Sequence, residues 1–309
     1  MTCRNGAGDW KDKTMNLEGK RVLVVGSGKS GVAAAELLRK KGITFVLFDG
    51  NKDLDVTALI EKNPVFAGAE ILLGELAPED MARIDLVVLS PGVPTDLPMV
   101  NELRNRQIPI WGEIELAYHF AKGRIIAITG TNGKTTTTSL VGEIMANYFD
   151  DVKVVGNIGI PYTSVAADTT EDTVTVAEIS SFQLETIEEF APQVSAILNI
   201  TEDHLNRHHT MEEYIRVKEL ITGNQTKDQV CVLNYEDEVL RAFGESGQVK
   251  AKVVYFSSLR ELPQGIFLRG DQIILRTEKE EIPVVRTGEL KLLGTHNFEN
   301  VMAAVAMAY

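Results

Sequence analysis

The sequence predicts an α/β protein with an N-terminal Rossmann-like domain, built on a parallel sheet, followed by a central α/β domain. Two observations support this fold class. Strand-like apolar runs alternate with helix-like segments along most of the chain, and each half opens with a strand, a glycine-rich loop and a helix. The length of 309 residues fits about two domains. We predict a loose polar arm over residues 1–16, a first domain over 17–112 and a second over 113–309, with Gly112 at the boundary.

In the first domain, three strands alternate with a helix. The helix covers residues 29–42 and ends in a glycine, which is typical of a helix C-terminus. The strands are predicted from short runs rich in valine, leucine and isoleucine, at residues 20–26, 43–49 and 85–92. Strands separated by helices predict a parallel sheet covered on both faces.

The same pattern restarts after Gly112. Strand-like runs occur at residues 124–129, 152–155, 173–179, 194–200 and 229–234, and helices are predicted at 134–148 and 210–222. Short alternating segments over residues 252–285 predict a β-rich extension. The last apolar segment, residues 296–309, predicts a helix without a polar cap. This helix could be a C-terminal docking helix or a segment at which a longer protein is cut, and we favour the cut.

Composition and charge exclude several classes of function. There are 31 basic and 44 acidic residues, so the net charge of −13 disfavours nucleic acid and anionic membranes as partners. No apolar run reaches the ~18 residues that a membrane span needs. Two cysteines cannot build a disulfide framework. We therefore expect a cytoplasmic protein, and a monomer.

The first glycine loop has the spacing G-x-G-x-x-G, with Gly26, Gly28 and Gly31 between a strand and a helix. Asp49 ends the next strand, near the position of an acid that binds a ribose. Such a loop lets any diphosphate approach the backbone and the helix N-terminus. NAD, another nucleotide and a turn without a ligand therefore all remain open.

The second loop, "TGTNGKT", resembles the end of a P-loop. The standard pattern needs a glycine five positions before Gly133, where this sequence has Ile128. The remaining parts still suit a nucleotide: backbone N–H groups for the β-phosphate, Lys134 for the β- and γ-oxygens, and the Thr135 hydroxyl for Mg²⁺. The loop predicts a P-loop ATPase-like domain that binds ATP, although a turn with a solvated lysine is the alternative.

Polar residues follow several strands of the second domain. Asn157, Glu178, Asp203 and His204 each come after a predicted strand. Because the carboxyl ends of parallel strands line one crevice, we expect Lys134, Asn157, Glu178 and His204 to face one site. An acid and a histidine beside a nucleotide predict metal ligands, although any one of them alone is more often structural.

Lys218 has an unusual place in the helix predicted over residues 210–222. Met211, Tyr214, Ile215 and Ile221 form an apolar stripe, and Lys218 falls near its middle. A lysine there either extends its ammonium to solvent or becomes desolvated, which lowers its pKa and makes its amine reactive. One possible reaction is CO₂ capture, which gives a carbamate that can bind a metal.

Eight segments, in order along nearly the whole chain, resemble the Mur ligases of peptidoglycan synthesis. They are "VLVVGSGKSGVAAAELLRKKG", "LSPGVPTDLP", "IPIWGEIELA", "AITGTNGKTTTT", "GNIG", "EISSFQLE", "NITEDHLNRH" and "GTHNFENVMAA". The resemblance implies an ATP- and Mg²⁺-dependent ligase that forms an amide through an acyl phosphate. "SPGVP" with "GEIELA" is similar to the branch of the family that joins D-glutamate to UDP-N-acetylmuramoyl-L-alanine.

The resemblance also implies roles for residues of the second domain. Lys134, Glu178, His204 and Lys218 are implied as catalytic residues, with Thr135, Glu178, His204 and the carbamate of Lys218 around the metal. ATP contacts are implied for the loop and for the last helix, at Gly130, Thr131, Asn132, Gly133, Lys134, Thr135, Thr136, Asn297 and Asn300.

For the UDP-linked substrate, the resemblance implies contacts in both domains: Lys29, Ser30, Asp49, Gly92, Asn157, Ser180 and His204. The first loop would then hold a UDP-sugar and no nicotinamide. The family also has a C-terminal domain that supplies much of the amino-acid site, and we expect this chain to lack it and to ligate little by itself. A sister ligase that adds another amino acid, and a nucleotide- or dinucleotide-binding protein with a regulatory P-loop, are the alternatives.

Overall fold

A computed structural model describes residues 17–291 and 294–309. The arm predicted over residues 1–16 lies outside this range. The first sheet has five strands: β1 Arg21–Val25, β2 Thr44–Asp49, β3 Glu70–Leu73, β4 Leu86–Leu89 and β5 Ile110–Gly112. All of its pairings are parallel, in the order β3-β2-β1-β4-β5. The order reverses between β1 and β4, which opens a crevice at their carboxyl ends.

The helices of this part are α1 Lys29–Lys40, α2 Val56–Lys62, α3 Pro78–Met81 and α4 Pro98–Asn105, with a 3-10 turn at Pro64–Phe66. The strands are almost wholly apolar because helices cover the sheet on both sides. In β1, Val22 to Val24 have no exposed surface. Leu37 and Leu38 of α1 bury one helix face against this core.

The second sheet has nine strands: β6 Arg124–Thr129, β7 Val152–Gly156, β8 Val174–Glu178, β9 Val194–Ile197, β10 Val230–Asn234, β11 Lys252–Ser257, β12 Gly265–Arg269, β13 Gln272–Arg276 and β14 Glu281–Arg286. Their order is β14-β13-β12-β11-β10-β9-β6-β8-β7. Pairing is parallel from β7 to β12 and antiparallel from β12 to β14. Strand β6 lies between β9 and β8 in this order, and all three strands are parallel, so the carboxyl end of β6 opens between those of β8 and β9.

The remaining helices are α5 Glu113–Phe120, α6 Lys134–Ala146, α7 Thr163–Ala166, α8 Ser181–Leu184, α9 Leu205–His208, α10 Met211–Glu219, α11 Glu238–Glu245 and α12 Thr295–Ala308. Two further 3-10 turns lie at Leu220–Thr222 and Thr287–Glu289. Helix α12 packs against α6 and buries Met302 and Met307 between the helices and the sheet. The last helix thus belongs to the core of the second part.

Helix α5 joins the two sheets through buried polar contacts. The Glu115 carboxylate has no exposed surface, and it accepts hydrogen bonds from three successive backbone N–H groups at residues 188–190, at 2.8–3.1 Å. His119 lies 3.1 Å from the same carboxylate and stacks on Trp111, with ring centroids 4.2 Å apart. The Trp111 indole donates to Glu188 Oε2 at 2.8 Å. These contacts form a joint between the two parts of the chain. The three N–H donors also compensate for the burial of the Glu115 carboxylate, which would be costly without them.

The α/β class with parallel sheets is confirmed, but the sequence prediction was incomplete. Strands β3 and β5 and helices α2 to α5, α7 to α9 and α11 were not predicted. The β-rich extension predicted over residues 252–285 is a continuation of the second sheet, because β11 pairs directly with β10 in parallel register. The chain therefore adds strands to an existing edge at this point.

Candidate functional site

The phosphate loop lies between β6 and α6. Gly133 caps α6 with a φ of 84° and offers no side chain to the first-turn N–H groups, which leaves them free for an anion. The Lys134 ammonium donates to the carbonyl oxygens of Gly130 and Thr131, each at 2.9 Å. This loop has the backbone donors and the cation that a nucleotide phosphate needs.

Asn199 holds this loop in place. The Thr131 N–H donates to the Asn199 carbonyl at 2.9 Å, and the Asn132 N–H donates to Asn199 Oδ1 at 2.8 Å. The Asn199 amide returns a hydrogen bond to the Asn132 carbonyl at 3.1 Å. Sequence reasoning did not single out Asn199, although its position just beyond β9 is the signal that could have found it.

Gly133 also contacts the last helix. A methyl group on Gly133 would overlap Asn300 Oδ1, which accepts a hydrogen bond from Thr137 Oγ1 at 3.2 Å. The Asn300 amide donates to Asn297 Oδ1 at 3.3 Å. A cavity of about 350 Å³ opens here, lined by Asn132, Gly133, Leu198, Asn199, Phe256, His296, Glu299 and Asn300. The structure thus brings Asn300 and the phosphate loop to one cavity.

Glu178 accepts hydrogen bonds from two of the predicted site residues. Its side chain is buried at the end of β8, where Oε2 accepts a hydrogen bond from Thr135 Oγ1 at 2.9 Å and Oε1 accepts one from the Asn157 amide at 3.0 Å. A hydroxyl and a carboxylate beside a phosphate loop are oxygen ligands that suit Mg²⁺. Among residues 17–291 and 294–309, however, no cluster of three or more histidine, cysteine or acidic side chains could hold a metal ion.

Lys218 is buried behind the same loop. Only 2% of the residue is exposed, its ammonium donates to the Gly130 carbonyl at 2.9 Å, and it lies 4.7 Å from the centroid of the Tyr214 ring. Burial lowers the pKa of Lys218 to about 7, helped by the positive charge of Lys134 and opposed by Asp203. Lys134 and Lys218 therefore both donate to the Gly130 carbonyl oxygen, and the Lys218 ammonium readily loses a proton.

His204 and Ser180 are not joined to the Glu178 hydrogen bonds. His204 is about half exposed and has a left-handed φ of 53°; its ring lies 3.4 Å from Asp203 Oδ2 and packs on Phe182, with centroids 5.0 Å apart. Ser180 is occupied in capping α8, because its hydroxyl accepts the Gln183 N–H at 3.3 Å. The His204 side chain is therefore partly open to solvent, whereas the Ser180 hydroxyl is used to cap α8.

The first glycine loop lies at the crevice of the first sheet. A side chain at Gly31 would overlap the Gly26 carbonyl, so this glycine allows α1 to pack closely on the loop. Asp49 Oδ2 accepts hydrogen bonds from the Ser27 N–H at 3.0 Å and the Ser27 hydroxyl at 2.6 Å. Burial is the largest influence on the pKa of Asp49 and raises it, but the bonds from Ser27 and Asn51 outweigh burial and lower the pKa overall. Asp49 thus supports the loop as an anion.

The other residues predicted for the first loop differ in their surroundings. Lys29 donates to the Gly159 carbonyl in the loop after β7, which ties α1 to the second part of the chain. Ser30 lies half-buried in the first turn of α1, and Gly92 is exposed just beyond β4. Of these three residues only Lys29 lines a cavity of about 420 Å³, together with Ser27, Gly28, Val32, Ala33, Glu36, Lys62, Asn63, Ile160, Pro161 and Ser164.

Comparison with family models gives two adjacent matches. Residues 20–112 match the model of the Mur ligase MurD-like N-terminal domain, and residues 128–308 match the Mur ligase middle domain. The chain belongs to the Mur ligase family. No helix among the described residues is both long enough and apolar enough to cross a lipid bilayer.

Curated relatives of this chain carry the name UDP-N-acetylmuramoylalanine–D-glutamate ligase. The one from Lachnoclostridium phytofermentans is 57% identical over 294 residues, which cover 95% of this chain and 64% of the relative. The one from Clostridioides difficile is 46% identical over 296 residues, covering 96% of this chain and 65% of the relative. The chain thus spans somewhat less than two thirds of the length of these relatives.

Solved structures of other Mur ligases share the fold. The UDP-N-acetylmuramate:L-alanyl-gamma-D-glutamyl-meso-diaminopimelate ligase from Neisseria meningitides aligns with a TM-score of 0.57 at 15% identity, over 94% of this chain and 93% of that one. The UDP-N-acetylmuramate-alanine ligase from Thermotoga maritima aligns with a TM-score of 0.51 at 22% identity, over 93% of this chain and 64% of that one. At these identities, the likeness supports the fold alone.

Proposed function

We propose that this chain is the nucleotide- and UDP-sugar-binding part of an ATP-dependent ligase that adds D-glutamate to UDP-N-acetylmuramoyl-L-alanine. The observation that carries the proposal is the convergence of Lys134, Thr135, Glu178 and Lys218 on one phosphate loop. The names of the curated relatives support the choice of substrates.

We assign ATP to the second domain, over residues 113–309. The N–H groups of residues 130–136 would bind the phosphates, and Lys134 would neutralise charge on the β- and γ-oxygens. Asn300, which lines the cavity, would contact the base side together with its hydrogen-bond partner Asn297. When bound, Mg²⁺ would supply charge neutralisation at the transferred phosphate, with Thr135 and Glu178 as nearby oxygen ligands and His204 at the rim. The γ-phosphate would pass to the substrate carboxylate and give an acyl phosphate, which the amine of D-glutamate then displaces.

Lys218 would act as a carbamate. Because its pKa is lowered to about 7, much of it is a free amine at neutral pH. The amine attacks CO₂, a C–N bond forms and one proton is released, so a buried cation becomes an anion. That anion lies beside Lys134, at the Gly130 carbonyl. It would pair with Lys134 and supply oxygen atoms towards the metal.

We assign the UDP-sugar to the first domain, over residues 17–112. The diphosphate would lie on the loop before α1, near Lys29, Ser30, Asp49 and Gly92, with the sugar end reaching Asn157, Ser180 and His204 across the crevice. The bond from Lys29 to Gly159 supports this arrangement, since it brings α1 and the loop after β7 together. We expect the protein to act as a cytoplasmic monomer.

The test is an ADP-release assay of the full-length protein with UDP-N-acetylmuramoyl-L-alanine and one candidate amine at a time: L-alanine, D-glutamate, L-lysine or diaminopimelate. Release that depends on D-glutamate is expected. Dependence on another amine would identify a sister ligase, and a stable phosphorylated product formed without any amine would identify a kinase. A fluorescence titration with NADH, in which NAD displaces the NADH but the UDP-sugar does not, would favour the dinucleotide-binding alternative.

A further inference from the structure

Arg207 and Glu185 form an ion pair within the second part of the molecule, and both residues also contact the first part. The guanidinium donates through Nη2 to Glu185 Oε2 at 2.6 Å and through Nε to Oε1 at 3.1 Å. The side chains are only 11% and 9% exposed. An ion pair with two parallel hydrogen bonds and little water has a fixed geometry, unlike most surface pairs.

This pair also holds a loop of the first sheet. Arg207 Nη2 donates to the Val93 carbonyl at 2.9 Å, and the Thr95 hydroxyl donates to Glu185 Oε2 at 3.2 Å. Val93 and Thr95 lie in the loop after β4, one and three residues beyond the exposed Gly92. One guanidinium therefore contacts the substrate-side loop of the first sheet and, through Glu185, the segment after β8.

On its other side, Arg207 belongs to the short helix that presents His204. The Arg207 N–H donates to the His204 carbonyl at 2.9 Å. Both His204 and His209, at the two ends of α9, have left-handed φ angles, of 53° and 68°. Such angles are uncommon outside glycine and persist where neighbouring contacts enforce them. The Arg207 side chain supplies contacts of that kind in the middle of α9.

We propose that Arg207, fixed by Glu185, is a positioning residue that holds the Gly92 loop and the His204 turn in one arrangement, so that the UDP-sugar site and the nucleotide site are coupled. The inference rests on the proposed function for the identity of the two ligands. Lysine cannot replace arginine in this role, because a single ammonium lacks the planar fork that binds Glu185 and the Val93 carbonyl together.

The experiment measures binding to the 309-residue chain. The Kd of a non-hydrolysable ATP analogue with Mg²⁺ is determined by calorimetry with and without saturating UDP-N-acetylmuramoyl-L-alanine. We expect the UDP-sugar to tighten nucleotide binding at least about fivefold in the wild type, and less than about twofold in Arg207→Lys, with each ligand alone binding both proteins within about threefold. Glu185→Gln is expected to behave like Arg207→Lys.

Arg216→Lys is the matched control. Arg216 also forms a two-bond pair, with Glu213 at 2.6 and 2.8 Å on the neighbouring helix α10, but its side chain is 59% exposed. It should keep the coupling of the wild type. If Arg207→Lys and Glu185→Gln keep it as well, the positioning role is overturned. Loss of coupling in Arg216→Lys to the same degree would also overturn it, since a general effect on the fold would then be responsible.

A second readout needs no ligand. Amide hydrogen exchange over residues 90–96 and 199–210 should speed up in Arg207→Lys and stay unchanged in Arg216→Lys. Unchanged exchange in Arg207→Lys would overturn the inference. A wild-type chain that binds both ligands independently would overturn the positioning role and leave the proposed function standing. A wild-type chain that binds neither ligand would refute the proposed function and the positioning role together.

Discussion

Replacing the buried Lys218 by methionine should stabilise the ligand-free chain at neutral pH. Methionine keeps the long unbranched shape and fills the same space beside Tyr214, but it carries no charge. The Gly130 carbonyl loses one donor and retains the other, from Lys134 at 2.9 Å. The substitution thus removes a desolvated amine without leaving a buried acceptor unpaired.

The magnitude follows from the pKa of Lys218. Burial lowers that pKa from 10.5 to about 7, and each pKa unit corresponds to about 1.4 kcal/mol. Folding at pH 7 therefore costs on the order of 4 kcal/mol for this side chain. Loss of its hydrogen bond offsets about 1 kcal/mol of the gain. We expect Lys218→Met to raise the free energy of unfolding by about 3 kcal/mol at pH 7.

The pH dependence has a definite sign. Between pH 7 and 10.5 the unfolded chain binds more protons at Lys218 than the folded chain, so wild-type stability rises with pH in this window. The advantage of Lys218→Met should be full below pH 7 and disappear towards pH 10.5. The assay is urea denaturation from pH 6 to 10.5 in CO₂-free buffer, with the exposed Lys227→Met as control. A destabilised Lys218→Met at pH 7, or an advantage independent of pH, would refute the reasoning.

Three further predictions concern the loops and the joint. Gly133→Ala should destabilise the chain by about 1–3 kcal/mol and weaken Mg·ADP binding in calorimetry, because the new methyl group overlaps Asn300. Gly28→Ala is the control: the space around its new methyl group is open, so stability should stay nearly unchanged. Glu115→Ala should lower the free energy of unfolding by at least about 3 kcal/mol because three backbone N–H groups lose their acceptor, and a loss below about 1 kcal/mol would contradict this account of the joint. Asp49→Asn should be destabilising at pH 7, and its deficit should shrink as the pH falls below about 4 and wild-type Asp49 takes up its proton; a deficit in urea denaturation that does not change with pH would contradict the anionic role.

Local patterns made much of the fold predictable. Apolar runs flanked by glycine predict the central strands, because a strand covered on both faces is apolar throughout. The helical stripe around Lys218 left two outcomes open, an ammonium extended to solvent or a desolvated amine, and the structure shows the second, at 2% exposure. The phosphate loop was also predictable, since its glycines, lysine and threonine lie within a few residues of one another.

What sequence could not predict depends on contacts between distant residues. The short edge strand β3 has four residues and little alternation, so its pattern is weak. Glu115 reads as one more acid on a helix, and only the fold brings the N–H groups of residues 188–190 to it. The pairing of Arg207 with Glu185 likewise joins residues 22 positions apart. His204 contacts Asp203, whereas Glu178 accepts hydrogen bonds from Thr135 and Asn157, so the two residues share no partner. The roles of the individual site residues therefore stay predictions.

The joint at α5 gives the molecule an intrinsic fluorescent reporter. One of the two tryptophans, Trp111, lies in the described part of the chain, and its indole is buried between the His119 ring and Glu188. Indole emission shifts to longer wavelength when the ring meets water. Separation of the two parts, without unfolding of either, would therefore change the colour of Trp111 emission, and a movement between domains could be followed in solution without an attached dye.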